Sequence, residues 1–241
     1  MWLLALETTT PDGSVALLRD DRVVAERSGD PALSHAERFP DDFAALLAEA
    51  GLTPGDIDLF AVATGPGGFT GLRIGLAAIQ GLSLALNRPV AGVGSLPALA
   101  WAALDCDPSL PAAGVWLDAS RGEVFAAAYA RPRRPDTAWP LVTLALPTAA
   151  PPDVTLTEWR GVVPPGLRVA AACHDAARVA LEHAGYAALA PPARLAGIVG
   201  RIGWRMHAVG LTAAPHALMP EYVRRPDVEI DRDRRAAAGV P

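Results

Sequence analysis

The stretch from Leu59 to Gly94 constrains the fold most. An apolar run, Leu59 to Thr64, leads into Gly65-Pro66-Gly67-Gly68-Phe69-Thr70-Gly71-Leu72-Arg73-Ile74-Gly75. Helical spacing then continues to Leu86, and a second apolar run spans Pro89 to Gly94. A strand, a helix and a strand in this order predict a crossover unit and a sheet with a parallel pair. The helix is apolar nearly all round. Leu72, Leu76, Ile79, Ser83 and Leu86 form one stripe, and Gly71, Gly75, Ala78, Leu82 and Ala85 a second. Arg73, Gln80 and Asn87 trace a thin polar line. A helix of this kind is either buried on both sides in its own domain or shared with a partner, and the small-residue stripe allows another helix to approach closely.

Upstream, Trp2 to Glu7, Gly13 to Arg19 and Arg22 to Ser28 read as three strands with turns too short for anything but antiparallel pairing. Ser34-His35-Ala36-Glu37 has the spacing of a capping box and opens a helix through Phe39, Phe43, Leu46, Leu47 and Ala50, with Pro40 expected to kink it or delay its regular start. A further helix spans Leu96 to Leu104, and Asp105 to Pro111 reads as a linker. Two domains are therefore expected, 1–104 and 105–241, with mixed sheets.

The second half restarts with strands at Gly114 to Leu117, Glu123 to Tyr129 and Leu141 to Leu146, the last after a Pro- and Arg-rich loop from Arg131 to Pro140. Prolines break every pattern between Pro147 and Pro165. Leu167 to Ala172 reads as a strand, Asp175 to Ala184 as a helix and Ala193 to Leu211 as a longer helix that can pack back on the first domain. The tail from Arg224 reads as a solvated end. Leu6-Glu7 and Leu117-Asp118 each close the first strand of a half with an acid before a turn, an internal echo that two ordinary hairpins would also produce.

Composition removes several chemistries. All 21 basic residues are arginine, a pattern that codon bias explains, and it excludes a Schiff-base lysine, a P-loop lysine and Ser-x-x-Lys acylation. A net charge of −5 leaves no overall basic footprint for independent nucleic-acid binding. Cys106 and Cys173 form neither a disulfide framework nor a zinc motif, which suits a reducing cytosol. The first residues lack the pattern of a signal peptide, and the apolar stretch between Arg73 and Arg88 falls short of the roughly 20 residues that cross a bilayer, so no membrane association and a cytoplasmic location are expected.

The glycine segment fails as a Rossmann or Walker loop, since the next strand ends at Val93-Gly94 without an acid and no lysine follows. His35, His174, His183, His207 and His216 lack metal-ligand spacing, and no G-x-S-x-G elbow occurs. Glu7 and Asp118 are the best-placed carboxylates for acid–base work.

The glycine segment closely resembles that of the TsaB (YeaZ) family. Leu3-Ala5-Leu6-Glu7-Thr8, Asp118-Ala119-Ser120-Arg121-Gly122-Glu123-Val124 and Pro220-Glu221-Tyr222-Val223-Arg224 accompany it. The resemblance covers most of the chain, is strongest over residues 1–130 and is weak between Pro147 and Ala190. It implies an α/β fold of two related actin-like (ASKHA, RNase H-like) domains. It also implies a protein with no active site of its own, no metal and no cofactor, in which Glu7 and Asp118 mark a vestigial nucleotide site. TsaB proteins pair with TsaD, the paralogue that transfers a threonylcarbamoyl group to adenosine beside the tRNA anticodon, and the ATPase TsaE joins them. tRNA is then met only through the complex, and a homodimer is expected when TsaD is absent. The partner surface of the family, carried to this chain, is formed by two helices, with Phe39, Phe43 and Leu46 on the first and Gly71, Gly75, Ala78, Leu82 and Ala85 on the second.

Three departures from relatives that carry catalysis or bind ATP belong to the resemblance. The H-x-x-x-H ligands of TsaD fall at about Ser95 and Leu99, neither of which replaces an imidazole. Asp118 to Arg121 stands where ATP-using relatives have a glycine-rich phosphate turn. Gly68 stands where the family usually has serine. The rival reading is an actin-like ATP-dependent phosphotransferase or a glycoprotease-type peptidase.

Overall fold

The computed structural model describes residues 1–30, 32–132 and 141–224. Most of the expected loop 131–140 and all but the first residue of the expected charged tail lie outside the described residues. In the first half the strands are β1 (Trp2–Glu7), β2 (Ser14–Arg19), β3 (Arg22–Ser28), β4 (Leu59–Gly65) and β5 (Val90–Gly94), with helices α1 (His35–Ala50), α2 (Phe69–Leu86) and α3 (Ser95–Cys106). The sheet order is β3-β2-β1-β4-β5, antiparallel through the opening meander and parallel where α1 and α2 cross over.

The second half repeats this plan. Its strands are β6 (Ala112–Asp118), β7 (Val124–Ala130), β8 (Val142–Ala150), β9 (Arg168–Ala172) and β10 (Ala187–Leu189), with helices α4 (Pro152–Trp159), α5 (Asp175–His183) and α6 (Ala196–Ala208). The order β10-β9-β6-β7-β8 is the first sheet read from its other edge, with the same antiparallel and parallel pairs. The echo of strand, acid and turn is thus one part of a duplicated topology.

Alternation along the strands sorts the core into layers. In the first sheet Leu4, Leu6, Leu17, Phe60 and Val62 face α1 and α2, while Leu3, Ala5, Leu18 and Ala61 face the opposite way. That second face is covered by α6, which arrives from the far end of the chain. In return α3 lies against β6 and β7 of the second sheet. Each half therefore lends its third helix to the other, and a single cluster runs between the sheets through Trp101, Val115 and Val199.

The proline-rich stretch differs from the sequence expectation. β8 continues to Ala150 past Pro147, which an edge strand tolerates because an outward N–H has no ladder partner to lose. α4 then starts at Pro152, where the missing N–H costs nothing. β10, only three residues long, carries too little periodicity to read. α1 runs without interruption through Pro40, and its capping box is present as Ser34 and Glu37.

α2 also corrects the bilayer estimate. Its 18 residues have a mean hydropathy of 1.4, enough by length and composition to cross a membrane. Its position between adjacent parallel strands of one sheet makes it a crossover helix instead.

Candidate functional site

The two acids at the strand ends do not share a cleft. Glu7 is 1% exposed. Its carboxylate accepts bonds from the backbone N–H of Thr9 (2.5 Å) and Thr10 (2.8 Å) and from their hydroxyls at 2.6 and 2.7 Å. Three of these bonds fall on Oε1 and one on Oε2, so Glu7 ties down the β1–β2 turn. Thr9 Oγ1 also lies 3.0 Å from Ser95 Oγ. Ser95 and Leu99 are buried in the core, and among the described residues no group of three His, Cys, Asp or Glu side chains is placed to hold a metal.

Asp118 is exposed and accepts the Ser120 N–H at 2.7 Å, closing the β6–β7 turn. Ser120, Arg121 and Gly122 follow at φ of 62°, 56° and 78°. Two residues with side chains thus hold the left-handed backbone that glycine takes without cost.

Asp118 lines a cleft of about 610 Å³ between the two halves. One wall is Pro66 to Phe69 with Arg73, another is Asp118 to Arg121 with Phe125, and the third is Glu221 to Arg224. The glycine segment presses on the β1–β2 turn, with the Gly68 N–H donating to Thr9 O at 2.9 Å. That N–H is spent on the protein's own backbone.

The Pro220–Arg224 segment straps both halves. The Glu221 N–H donates to Thr64 O at 2.7 Å, Arg73 Nε donates to the Tyr222 hydroxyl at 3.2 Å, and Arg224 Nη1 donates to Ala119 O at 3.0 Å. Burial pushes the Glu221 carboxyl above its ordinary value. Burial, and then the nearby Glu221 charge, raise the Tyr129 phenol. The sequence marks this segment as a motif but offers no signal of its strapping role, since its partners are distant along the chain.

The helix beside the cleft is oriented differently from the expectation. Gly71 and Gly75 are buried: a Cβ on Gly71 would lie 2.2 Å from Thr8 O, and one on Gly75 2.1 Å from Thr8 Oγ1. Phe39, Phe43 and Leu46 are core residues between α1 and the sheet. These five face the interior of the chain rather than solvent. Ala78 and Leu82 are half-buried against the same core and Ala85 is exposed. The face that α2 turns outward is instead Thr70, Ile74, Ala77, Gly81, Leu84 and Ala85, with Leu84 73% exposed. Two of the histidines have local partners. His174 caps α5 by accepting the Ala177 N–H, and His35 contacts Arg38 beside Gly13 and Gly71, where burial and then the Arg38 charge lower its pKa.

A duplicated meander-and-crossover plan beside a cleft defines a mixed α/β protein built on two five-stranded sheets. The family model for tRNA N6-adenosine threonylcarbamoyltransferase (TsaD) matches residues 30–136. An uncharacterized protein of Mycobacterium tuberculosis is 35% identical over 229 residues, covering 94% of this chain and 93% of that protein. The tRNA threonylcarbamoyladenosine biosynthesis protein TsaB of Bacillus subtilis is 33% identical over 129 residues, covering 54% of this chain and 55% of that protein. The structure of YeaZ from Pseudomonas aeruginosa superposes with a TM-score of 0.69 at 26% identity, over 92% of this chain and all of that one. The chain belongs to the TsaB (YeaZ) family.

Proposed function

We propose that this chain is a non-catalytic subunit of the complex that forms threonylcarbamoyladenosine in tRNA, and that it binds and activates a TsaD partner in the cytoplasm. The observation that carries this reading is the outward face of α2. Ala77, Gly81, Leu84 and Ala85 are exposed and Ile74 is half-buried beside them, making an apolar strip on a helix whose other side is core, and small residues at its centre let a partner helix come close. TsaE joins at the level of the assembled complex, tRNA is contacted through that complex, and the same strip supports self-pairing when TsaD is absent. The buried Glu7 carboxylate, held by Thr9 and Thr10, and the Gly68 N–H engaged by Thr9 favour a supporting subunit over a phosphotransferase or a peptidase.

Co-elution with TsaD of the same organism tests the reading. A stable complex that raises tRNA modification in a reconstituted reaction supports it. Clean separation of the two proteins at micromolar concentration, or equal modification without this chain, refutes it. Calorimetric titration with ATP addresses the rival, which predicts tight binding by the isolated chain.

A further inference from the structure

We infer that His35 and Arg38 form a pH-sensitive switch at the start of α1, in which proton uptake by the imidazole breaks its bond to the guanidinium and loosens the hold of α1 on the β1–β2 turn. The switch stands apart from the proposed function and needs no partner.

Glycines from three parts of the chain make room for the pair. Arg38 is 7% exposed, and a Cβ on Gly29 would lie 0.5 Å from its Nη1. A Cβ on Gly13 would lie 2.7 Å from Arg38 Nη2 and 2.9 Å from His35 Cε1, and one on Gly71 2.8 Å from His35 Cδ2. The chain just after β3, the β1–β2 turn and the first turn of α2 thus each give up a side chain to admit these two. Within that space Arg38 Nη2 donates to the Asp12 carbonyl and to His35 Nδ1. A guanidinium has donors only, so Nδ1 is the accepting, proton-free nitrogen and the ring is neutral. The bond to Asp12 holds the same turn that accepts the Gly68 N–H at Thr9 O, 2.9 Å away. One guanidinium therefore links α1 to the turn on which the glycine segment rests.

A proton added at Nδ1 sets N–H against N–H and one positive charge against another. His35 is also the first residue of α1, where the helix dipole opposes a cation. Burial and then the Arg38 charge disfavour the imidazolium, while the Glu7 charge and a hydrogen bond to the Thr10 backbone favour it, and the balance holds the pKa below 6.5. The carboxylates nearby are committed elsewhere or stand to one side. Thr9 and Thr10 hold Glu7, the capping box holds Glu37, Asp12 meets Arg38 through its carbonyl, and Asp42 lines the small cavity beside the pair. Gly29 and Gly71 bring no charge from β3 or α2. Arg38 is enclosed, so the half-buried imidazole is the group that swings away, and Nη2 loses the partner that aims it at Asp12. Between the lowered value and 6.5 the folded chain holds fewer protons than the unfolded one, so stability is lost as pH falls through that interval.

An NMR titration of the full chain tests the switch. The His35 imidazole is expected to titrate below 6.5, and the backbone amides of Gly13, Gly29 and Gly71 to shift with the same midpoint. A ring that titrates at or above 6.5, or amides that do not follow its midpoint, overturns the inference, and both readouts use the unchanged protein. His35→Gln supplies a side-chain oxygen that accepts from Arg38 and takes up no proton. It is expected to remove the step from the three amides and to shrink the fall in urea midpoint between about pH 7 and about pH 5. Amides that keep the step in His35→Gln place the titrating group elsewhere and overturn the assignment to His35.

Discussion

Glu7 and Asp118 end equivalent strands, yet one is enclosed by four donors and the other stands at the lip of a cleft. The difference comes from Thr9 and Thr10, whose hydroxyls and N–H groups replace the water a carboxylate would otherwise need. Gly71 shows the same dependence on neighbours. In an ordinary helix Gly71→Ala would gain about 1 kcal/mol of propensity. Here the new Cβ meets a backbone oxygen that has no rotamer to retreat into, and overpacking costs typically 1–3 kcal/mol. We expect a net loss of about 1 kcal/mol, read as a lower urea midpoint at unchanged slope. Glu221 sets a pH dependence. Its carboxyl pKa is raised above 4.5 by burial, so the folded state holds a proton that the unfolded chain releases, and stability falls as pH rises from that value through the raised one. Glu221→Gln removes this falling limb. Its melting temperature should gain on the parent across that range, and parallel curves for the two proteins would contradict the assignment.

Elements were legible where one side chain pattern answers to one environment. The capped start of α1 follows from Ser34 and Glu37, and the meander strands follow from apolar runs split by Asp and Gly turns. Ser34→Ala should lower the melting temperature by about 2–4 °C, seen by circular dichroism, with Glu37→Gln keeping part of the box. The orientation of α2 was not legible for a physical reason. A helix that is apolar on nearly every side has no polar face to set its phase, so the two stripes read from spacing are equally eligible for burial. Contact with Thr8 and His35 decides it, and places Gly71 and Gly75 inside. Gly75→Arg thus reports folding, whereas a change at Leu84 reports the surface.

At the scale of the molecule the halves are joined by exchange. α3 covers part of the second sheet and α6 covers the inner face of the first, with Gly200 allowing so close an approach that a Cβ would lie 2.4 Å from Leu18. A chain ended at Pro192 would leave Leu3, Ala5, Leu18 and Ala61 uncovered. It is expected to lose cooperative thermal unfolding, and a sharp transition in that truncated chain would refute the mutual dependence. The strap from Pro220 to Arg224 adds a second tie, from the end of β4 and the start of α2 to the β6–β7 turn. It connects the proposed partner face to the cleft wall.

The sequence by itself determined the local elements, the repeated strand–acid–turn unit and the absence of lysine chemistry, because each depends on residues close together in the chain. Only the tertiary structure decided which acid is sealed and which face of α2 looks outward. It also revealed that the last helix and the 215–224 segment complete the first half. These outcomes rest on contacts between residues far apart in sequence, where periodicity carries no information about which surfaces meet.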